Sequence, residues 1–185
     1  PPRSTLFPYT TLFRSMIGLQ RKTMQLVPHD PTWHEEFAKE SERIRHVLGD
    51  RILTLEHIGS TSIRGIHAKP IIDMCAGLKT FDDGFACIAP LESIGYIFIG
   101  ESGVPGRHYF RTNDEFVLHH IHMFAIDSQE YANHIFFRDY MNTHPDDAQA
   151  YSQLKLSLWA KNLPREEYTA AKAPFIEEIL RKAQK

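Results

Sequence analysis

The sequence has 185 residues, of which 42% are hydrophobic, and this length suits one domain with one substantial core. Its 21 basic and 23 acidic residues give a formal net charge of −2, so no overall positive charge attracts nucleic acid or an anionic membrane. The two cysteines, Cys75 and Cys87, form no C-x-x-C pair, and no apolar run approaches the roughly 18 residues that cross a bilayer. We therefore expect a cytoplasmic protein that is neither secreted nor inserted in a membrane.

The N-terminal segment has an unusual composition. Residues 5–15 read TLFPYTTLFRS and resemble the translation of a sequencing-library adapter. We expect residues 1–15 to be a disordered, non-native extension and residues 16–24 to be a flexible N-terminus, with a single domain over residues 25–185. The alternative is a native N-terminal strand, because Leu, Phe, Tyr and Thr favour strands.

The first half of the chain alternates strand and helix patterns. A short strand is predicted at 25–27, and Asp30 followed by Pro31 begins a helix that Gly49 ends. Further strands are predicted at 51–58 and 70–78, and a second helical stretch at 81–93.

The second half begins with strands and ends with helices. Strands are predicted at 96–99, 107–111 and 116–124, and the chain from Ser128 has a helical pattern. Breaks at 144–145 and 162–164 divide that region into about three helices. The order predicts an α/β (α+β) fold, in which a mixed sheet has flanking helices and a helical C-terminal tail.

The central motif, HIGSTSIRGIHAKPIIDM at residues 57–74, combines a strand end, a Gly-Ser turn and an acid on the next strand. Gly59 permits a tight turn, and the hydroxyls and amides that follow it at a helix start can bind phosphate oxygens. Asp73 can then hold a divalent metal ion beside that phosphate. Two other interpretations stay open: the turn is an ordinary helix cap, and Asp73 is a buried acid that backbone amides or an arginine satisfy.

Basic residues elsewhere complete the predicted phosphate site. Lys69 and Arg107 neutralise phosphate charge, with Arg111 as a further candidate, unless they are solvated surface residues. The loop from Gly103 to Gly106 is able to close over a ligand. The predicted phosphate-binding residues are Gly59, Ser60, Thr61, Ser62, Lys69 and Arg107.

Six blocks in order along the sequence resemble the GrpB family. They read VPHDPTWHEEF, HIGSTSIRGIHAKPIIDM, GVPGRHYF, HHIHMF, FRDYMNTHP and YTAAKAPFIEEIL. The Gly-Ser turn followed by an acid is also similar to the signature of the nucleotidyltransferase superfamily. These resemblances imply a nucleotidyltransferase-like fold, and GrpB proteins are sometimes fused to a dephospho-CoA kinase.

The sequence departs from the superfamily at the metal ligands. Superfamily members present two acids as D-x-D or D-x-E, whereas Ile71 and Cys75 occupy the positions flanking Asp73 at alternate spacing. Candidates for the missing ligand are Glu101 and Glu56. Our prediction is that Asp73 and Glu101 hold Mg²⁺ or Mn²⁺.

The histidine-rich strand offers another way to complete the site. His120 and His122 share one strand face, and we predict a catalytic role for both together with Asp73. Histidine ligands would favour zinc, manganese or iron over magnesium. The alternative is structural hydrogen bonding by these residues and His119.

Together these residues predict a metal-dependent nucleotidyltransferase. It would take a nucleoside triphosphate as substrate, bind the β and γ phosphates at Gly59 and Ser60, and transfer the nucleoside monophosphate to an unknown acceptor. The alternative is a noncatalytic nucleotide- or coenzyme-binding module related to coenzyme A metabolism, which the missing acid favours. A third hypothesis is a metallohydrolase that uses His120, His122 and Asp73. No nucleic-acid or membrane partner is expected.

Overall fold

The computed structural model describes residues 17–21, 23–112 and 115–183. The α-helices are α1 (Thr32–Leu48), α2 (Ile88–Ser93), α3 (Gln129–Thr143), α4 (Pro145–Ala160) and α5 (Arg165–Lys182). The strands are β1 (Leu19–Gln20), β2 (Thr54–Ile58), β3 (Ile72–Leu78), β4 (Tyr96–Gly100), β5 (His108–Thr112), β6 (Phe116–Val117) and β7 (His119–Ala125). Short 3₁₀ segments lie at Gly49–Arg51, Ser60–Ser62 and Asp82–Cys87. The expectation about residues 1–15 falls outside the described residues.

The main sheet is mixed and has five strands in the order β2-β3-β7-β5-β4. β3 and β7 run parallel, and the other neighbours are antiparallel. In the parallel pair Asp73 lies opposite His120 and Cys75 lies opposite His122. Because side chains alternate along a strand, these residues share one face of the sheet.

Helices cover both faces of the sheet. On one face Ile72, Met74 and Ala76 of β3 pack in a core cluster that also contains Trp33 and Ile44 of α1. On the other face Cys75 and Phe124 pack against Tyr131 and Ile135 of α3. The second face is the one that carries Asp73, so the candidate metal ligand lies on the side of α3. The mixed sheet with flanking helices confirms the predicted fold class.

The helices follow their sequence signals closely. Asp30 Oδ1 accepts hydrogen bonds from the Thr32 amide at 2.9 Å and from its hydroxyl at 2.7 Å, which satisfies donors at the start of α1. The three helices predicted for the C-terminal region are confirmed as α3, α4 and α5. Helix α4 starts at Pro145, at the first predicted break. No helix in the described part of the chain combines the length and the apolar character needed to span a bilayer.

Three predicted elements differ in detail. The helical stretch at 81–93 begins as a 3₁₀ segment, where Gly84 packs so tightly on His108 that a Cβ would lie 2.2 Å from its ring. The strand predicted at 116–124 is split at Leu118, because β6 pairs with β1 whereas β7 pairs with β3 and β5. The strand predicted at 25–27 is a single bridge between Val27 and Ala68.

The sequence pattern predicted no strand in residues 16–24, but β1 lies there. It pairs antiparallel with β6, and Leu19 is buried with Ile71 and Val117. Burial of one apolar side chain against two others holds this short ribbon beside the edge of the candidate site.

Candidate functional site

The turn after β2 brings the backbone against Asp73. Gly59 has φ 69°, a conformation that L side chains rarely adopt. A Cβ at this position would lie 2.7 Å from Asp73 Oδ2, so the close approach requires glycine. Ser60–Ser62 then form one 3₁₀ turn, in which Ser62 Oγ donates to the Gly59 carbonyl at 2.7 Å.

Asp73, His120 and His122 form a compact cluster. His120 Nδ1 donates a hydrogen bond to Asp73 Oδ1 at 2.8 Å, and His122 Nε2 lies 3.7 Å from the same oxygen. One potential ligand atom from each residue lies within 4.8 Å of the other two. The parallel pairing of β3 with β7 produces this convergence, since it places the carboxylate beside both rings.

The protonation of the cluster follows from its contacts. Arg107 Nη1 donates to His122 Nδ1 at 3.3 Å, so that nitrogen accepts and Nε2 carries the ring proton toward Asp73. Burial opposes ionisation of Asp73, but the hydrogen bond from His120 and the nearby ring of His122 hold its pKa below the usual range. Burial lowers the pKa of His122, against the raising effect of Asp73, and burial also lowers the pKa of neighbouring His134 to about 4. Because a ligand nitrogen must be deprotonated, a metal ion would displace the ring protons that face Asp73.

The donor set fits one transition-metal ion. Two imidazole nitrogens and one carboxylate oxygen suit manganese, iron or zinc, whereas magnesium prefers oxygen ligands. Ligand bonds of about 2.0–2.2 Å place two donors of one ion at most about 4.4 Å apart, so donors separated by as much as 4.8 Å would have to move closer around an ion. Asp73, His120 and His122 would therefore be the residues that hold the ion.

The two other candidates, and the cysteine at the position of the second superfamily acid, do not join the cluster. Glu101 Oε1 accepts a hydrogen bond from the Gly106 amide at 2.6 Å, which ties its carboxylate to its own loop, and Glu101 is not part of the group of potential ligands around Asp73 among the described residues. Glu56 Oε2 forms an ion pair with Arg138 at 2.8 Å. Cys75 is buried, and burial raises the pKa of its thiol to about 12, so it does not supply the second anionic ligand.

A cavity of about 1030 Å³ opens in front of the cluster. Among the described lining residues two are acidic, Asp73 and Glu166. The cationic residues that line it are Arg21, Lys69, Arg107, Arg111, Lys155 and Lys172. A cavity with this balance of charge attracts anions.

Most of the predicted phosphate-binding residues line this cavity. Gly59, Ser60, Thr61, Lys69 and Arg107 all contribute to its wall. The exception is Ser62, which instead borders a second cavity of about 440 Å³ on the other side of the turn. The reason is the hydrogen bond of its hydroxyl to Gly59, which turns the side chain away.

His119 of β7 and Tyr168 of α5 are both buried and make packing contacts. His119 is buried beside Tyr96 and lies 3.9 Å from Glu40, on the opposite face of the sheet from the cluster. Tyr168 is buried at the cavity wall, where Lys69 and Lys172 lie over its ring at 5.3 and 4.6 Å from the centroid.

Sequence reasoning missed Lys155, which lies in the cavity although only 2% of its surface is exposed. Its Nζ donates to Ser60 Oγ at 2.9 Å. Burial, followed by repulsion from Lys172, lowers its pKa to about 7. The available signal was its position on α4, four residues after buried Tyr151 and three before buried Leu158, on the apolar face of the helix.

The family comparison agrees with the blocks noted in the sequence. The GrpB protein family matches residues 23–182. This chain belongs to the GrpB family. It is 31% identical to the glutamate-rich protein GrpB of Alkalihalophilus pseudofirmus over 172 residues, which cover 89% of this chain and 98% of that protein. The crystal structure of the conserved protein GrpB from Enterococcus faecalis is similar, with a TM-score of 0.78, 33% identity, and coverage of 86% of this chain and 96% of that one.

Other relatives are longer than this GrpB chain. A UPF0157 protein of Pseudomonas aeruginosa is 36% identical over 86% of this chain and 67% of its own length. The chain spans 41% of the UPF0157 protein YqkA of Bacillus subtilis, with 34% identity over 77% of the chain. It also matches 47% of a dephospho-CoA kinase of Mycolicibacterium paratuberculosis, with 23% identity over 89% of the chain.

Proposed function

We propose that this GrpB protein is a metal-dependent nucleotidyltransferase that binds a nucleoside triphosphate in the cavity around Asp73. The observation that carries the proposal is that one cavity holds both the Asp73, His120 and His122 cluster and six cationic side chains. Its volume of about 1030 Å³ is close to the upper end of the range of about 300–1,000 Å³ typical of small-molecule sites. The Gly-Ser turn next to Asp73 supports placement in the nucleotidyltransferase superfamily.

The proposed roles follow from the positions of the side chains. Asp73, His120 and His122 hold one divalent ion, and the bound ion would polarise the α-phosphate. Arg107 and Lys155 approach from other walls of the cavity and neutralise phosphate oxygens. The acceptor oxygen attacks the α phosphorus, the bond to the β-phosphate oxygen breaks, and pyrophosphate leaves. With two imidazole ligands, Mn²⁺ fits the site better than Mg²⁺.

A second candidate function is noncatalytic binding of a nucleotide or coenzyme. Cys75 stands at the position of the second superfamily acid, and its buried thiol is neutral at physiological pH. The family relation to a chain named dephospho-CoA kinase is consistent with a ligand related to coenzyme A. On this proposal the cavity binds its ligand but completes no transfer.

Calorimetry and product analysis separate these functions. ATP, CTP, GTP and UTP are titrated into the protein with and without Mn²⁺, and pyrophosphate release is measured with each after a small-molecule cell extract is added as the source of acceptors. The nucleotidyltransferase predicts Mn²⁺-dependent pyrophosphate release that falls at least a hundredfold in Asp73→Asn, because the ion loses its one carboxylate ligand. The matched control is Asp127→Asn, which changes an exposed acid just after β7 and leaves the rate unchanged.

Each alternative result has a defined meaning. Nucleotide binding without pyrophosphate release supports the binding module. Hydrolysis of the nucleotide to a nucleoside monophosphate or to inorganic phosphate, in the absence of an acceptor, supports the metallohydrolase. Full activity in Asp73→Asn would exclude the proposed metal site, and no binding of any nucleotide would contradict both nucleotide proposals.

A further inference from the structure

Lys155 places a buried amine directly behind the Gly-Ser turn. Its Nζ donates to Ser60 Oγ at 2.9 Å and to the backbone carbonyl of His67. The centroid of the Tyr151 ring, one helical turn earlier on α4, lies 4.7 Å from the Lys155 amine. These contacts fix the amine at the residue proposed to bind phosphate.

The direct contacts of Lys155 do not supply a counter-charge. Among the described residues, no carboxylate forms an ion pair with its Nζ, and the two hydrogen-bond acceptors are both uncharged. A charged amine has three N–H bonds, so one remains for a further acceptor. Burying a charge without a partner is unfavourable, and an anion in the cavity would supply both the missing acceptor and the missing charge.

The protonation state of Lys155 is therefore sensitive to what the cavity contains. Burial and then repulsion from Lys172 lower its pKa to about 7, so near neutral pH both forms are populated. An anion in contact with the amine favours its charged form and raises the pKa again.

Several other ionisable groups lie around the amine. They come from the segment before β3, from β3, from α4 and from α5, and are His67, Lys69, Asp73, Tyr151, Tyr168 and Lys172. His67 presents its carbonyl to the amine, while its ring contacts Ser152. Burial raises the pKa of both tyrosines, so they stay neutral across the relevant range.

We propose that Lys155 is a proton-coupled anion-binding residue, which takes up a proton when a phosphate oxygen of the ligand binds beside Ser60 and releases it when the ligand leaves. This inference rests on the proposed binding of a phosphorylated ligand, and it adds a pH-dependent control to that same site. Below pH 7 the amine is already charged and binding needs no proton. Above pH 7 each unit of pH makes the charged form of the free site about tenfold rarer, and affinity falls by the same factor up to the pKa of the anion-bound form, above which it levels off.

Sulfate is the suitable probe, because it resembles phosphate in shape and carries a fixed charge across this range. The whole protein, labelled with ¹³C in its lysines, is titrated with base while the ε-methylene resonances are followed by NMR. We expect one lysine to titrate near pH 7 in chloride and about one unit or more higher in sulfate at equal ionic strength. No metal or nucleotide is present, so the result does not depend on the transfer reaction.

Variants assign the effect to Lys155. Lys155→Arg keeps a permanent positive charge, so we expect sulfate affinity that no longer declines between about pH 7 and pH 9. Lys155→Met removes the charge, and affinity should fall at least tenfold at pH 6. The matched control is Lys161→Met, at the exposed end of α4, which should behave as the unmodified chain.

The NMR titration keeps the proposal testable even if a variant at this buried position fails to fold. The inference is overturned if the Lys155 amine stays charged to pH 9 without sulfate. It is also overturned if Lys155 titrates at the same pH in sulfate and in chloride. If sulfate shifts Lys155 but no nucleotide binds, the anion site stands and the proposed nucleotide substrate is wrong. If nucleotides react but sulfate has no effect on Lys155, the transfer proposal stands and the proton coupling is wrong.

Discussion

The backbone of Gly59 and the carboxylate of Asp73 lie so close together that each depends on the other for its position. The left-handed φ of Gly59 lets β2 turn sharply, and the same position leaves room for the Asp73 carboxylate. The sequence pattern indicated both residues, because a glycine turn followed by an acid on the next strand is a local signal.

Replacing Gly59 with alanine tests this dependence. Gly59→Ala should lower the free energy of unfolding by roughly 1–2 kcal/mol, because alanine is strained at this positive φ. It should also weaken Mn²⁺ binding at least tenfold, because the added Cβ would lie 2.7 Å from Asp73 Oδ2 and displace the carboxylate. Chemical denaturation and metal titration measure the two effects.

Gly95→Ala provides the control, since Gly95 has φ 90° with nothing within 4 Å of an added Cβ. It should lose similar stability and keep its metal affinity. Equal metal affinity in both variants would contradict the proposed contact.

Lys155 and Ser60 illustrate what the local pattern could not predict. They are 95 positions apart, and their contact depends on how α4 packs behind the turn. A lysine on the apolar face of a helix is a signal of burial, but its partner is set by tertiary packing. Glu101 is the opposite case, because its loop position suggested a metal ligand and a hydrogen bond within that loop uses its carboxylate instead.

At the scale of elements, the parallel pairing of β3 with β7 creates the candidate metal site. The alternation of each strand predicted that His120 and His122 share a face. It did not predict that β7 lies beside β3, since Asp73 and His120 are separated by 47 positions and another hairpin could have occupied that place. Strand existence was therefore predictable from composition, whereas strand order was not.

Arg138 connects α3 to the edge strand β2. Its Nη1 donates to Glu56 Oε2 at 2.8 Å and to the His57 carbonyl at 3.0 Å, in addition to the pairing with Asp139. The carbonyl bond is the stronger contribution, because His57 is buried whereas the carboxylates are partly exposed and screened.

We expect Arg138→Met to lower the free energy of unfolding by about 1–3 kcal/mol, because the buried carbonyl loses its donor. Urea denaturation measures the change. Arg181→Met, at the exposed end of α5, should change it by less than about 0.5 kcal/mol. A loss in Arg138→Met no larger than in this control would show that the link between α3 and β2 contributes nothing.

At the scale of the whole molecule, the cavity is assembled from the turn after β2, from β3, β5 and β7, and from α3, α4 and α5. The N-terminal half supplies the turn and the carboxylate, while the C-terminal half supplies both histidines, Lys155 and Lys172. The family blocks in the sequence run through both halves in order, which is why family and fold class were predictable from the sequence. The charge and volume of the cavity were not, because they arise only when those distant segments pack together.

The central claim is that Asp73, His120 and His122 together hold one divalent ion. Electron paramagnetic resonance of added Mn²⁺, with pulsed detection of ¹⁴N coupling, measures stoichiometry and ligand type in one experiment. We expect one Mn²⁺ per chain with coupling from two imidazole nitrogens, and at least tenfold weaker binding in Asp73→Asn. Mn²⁺ that shows no nitrogen coupling, or that binds equally well after this substitution, would contradict the claim.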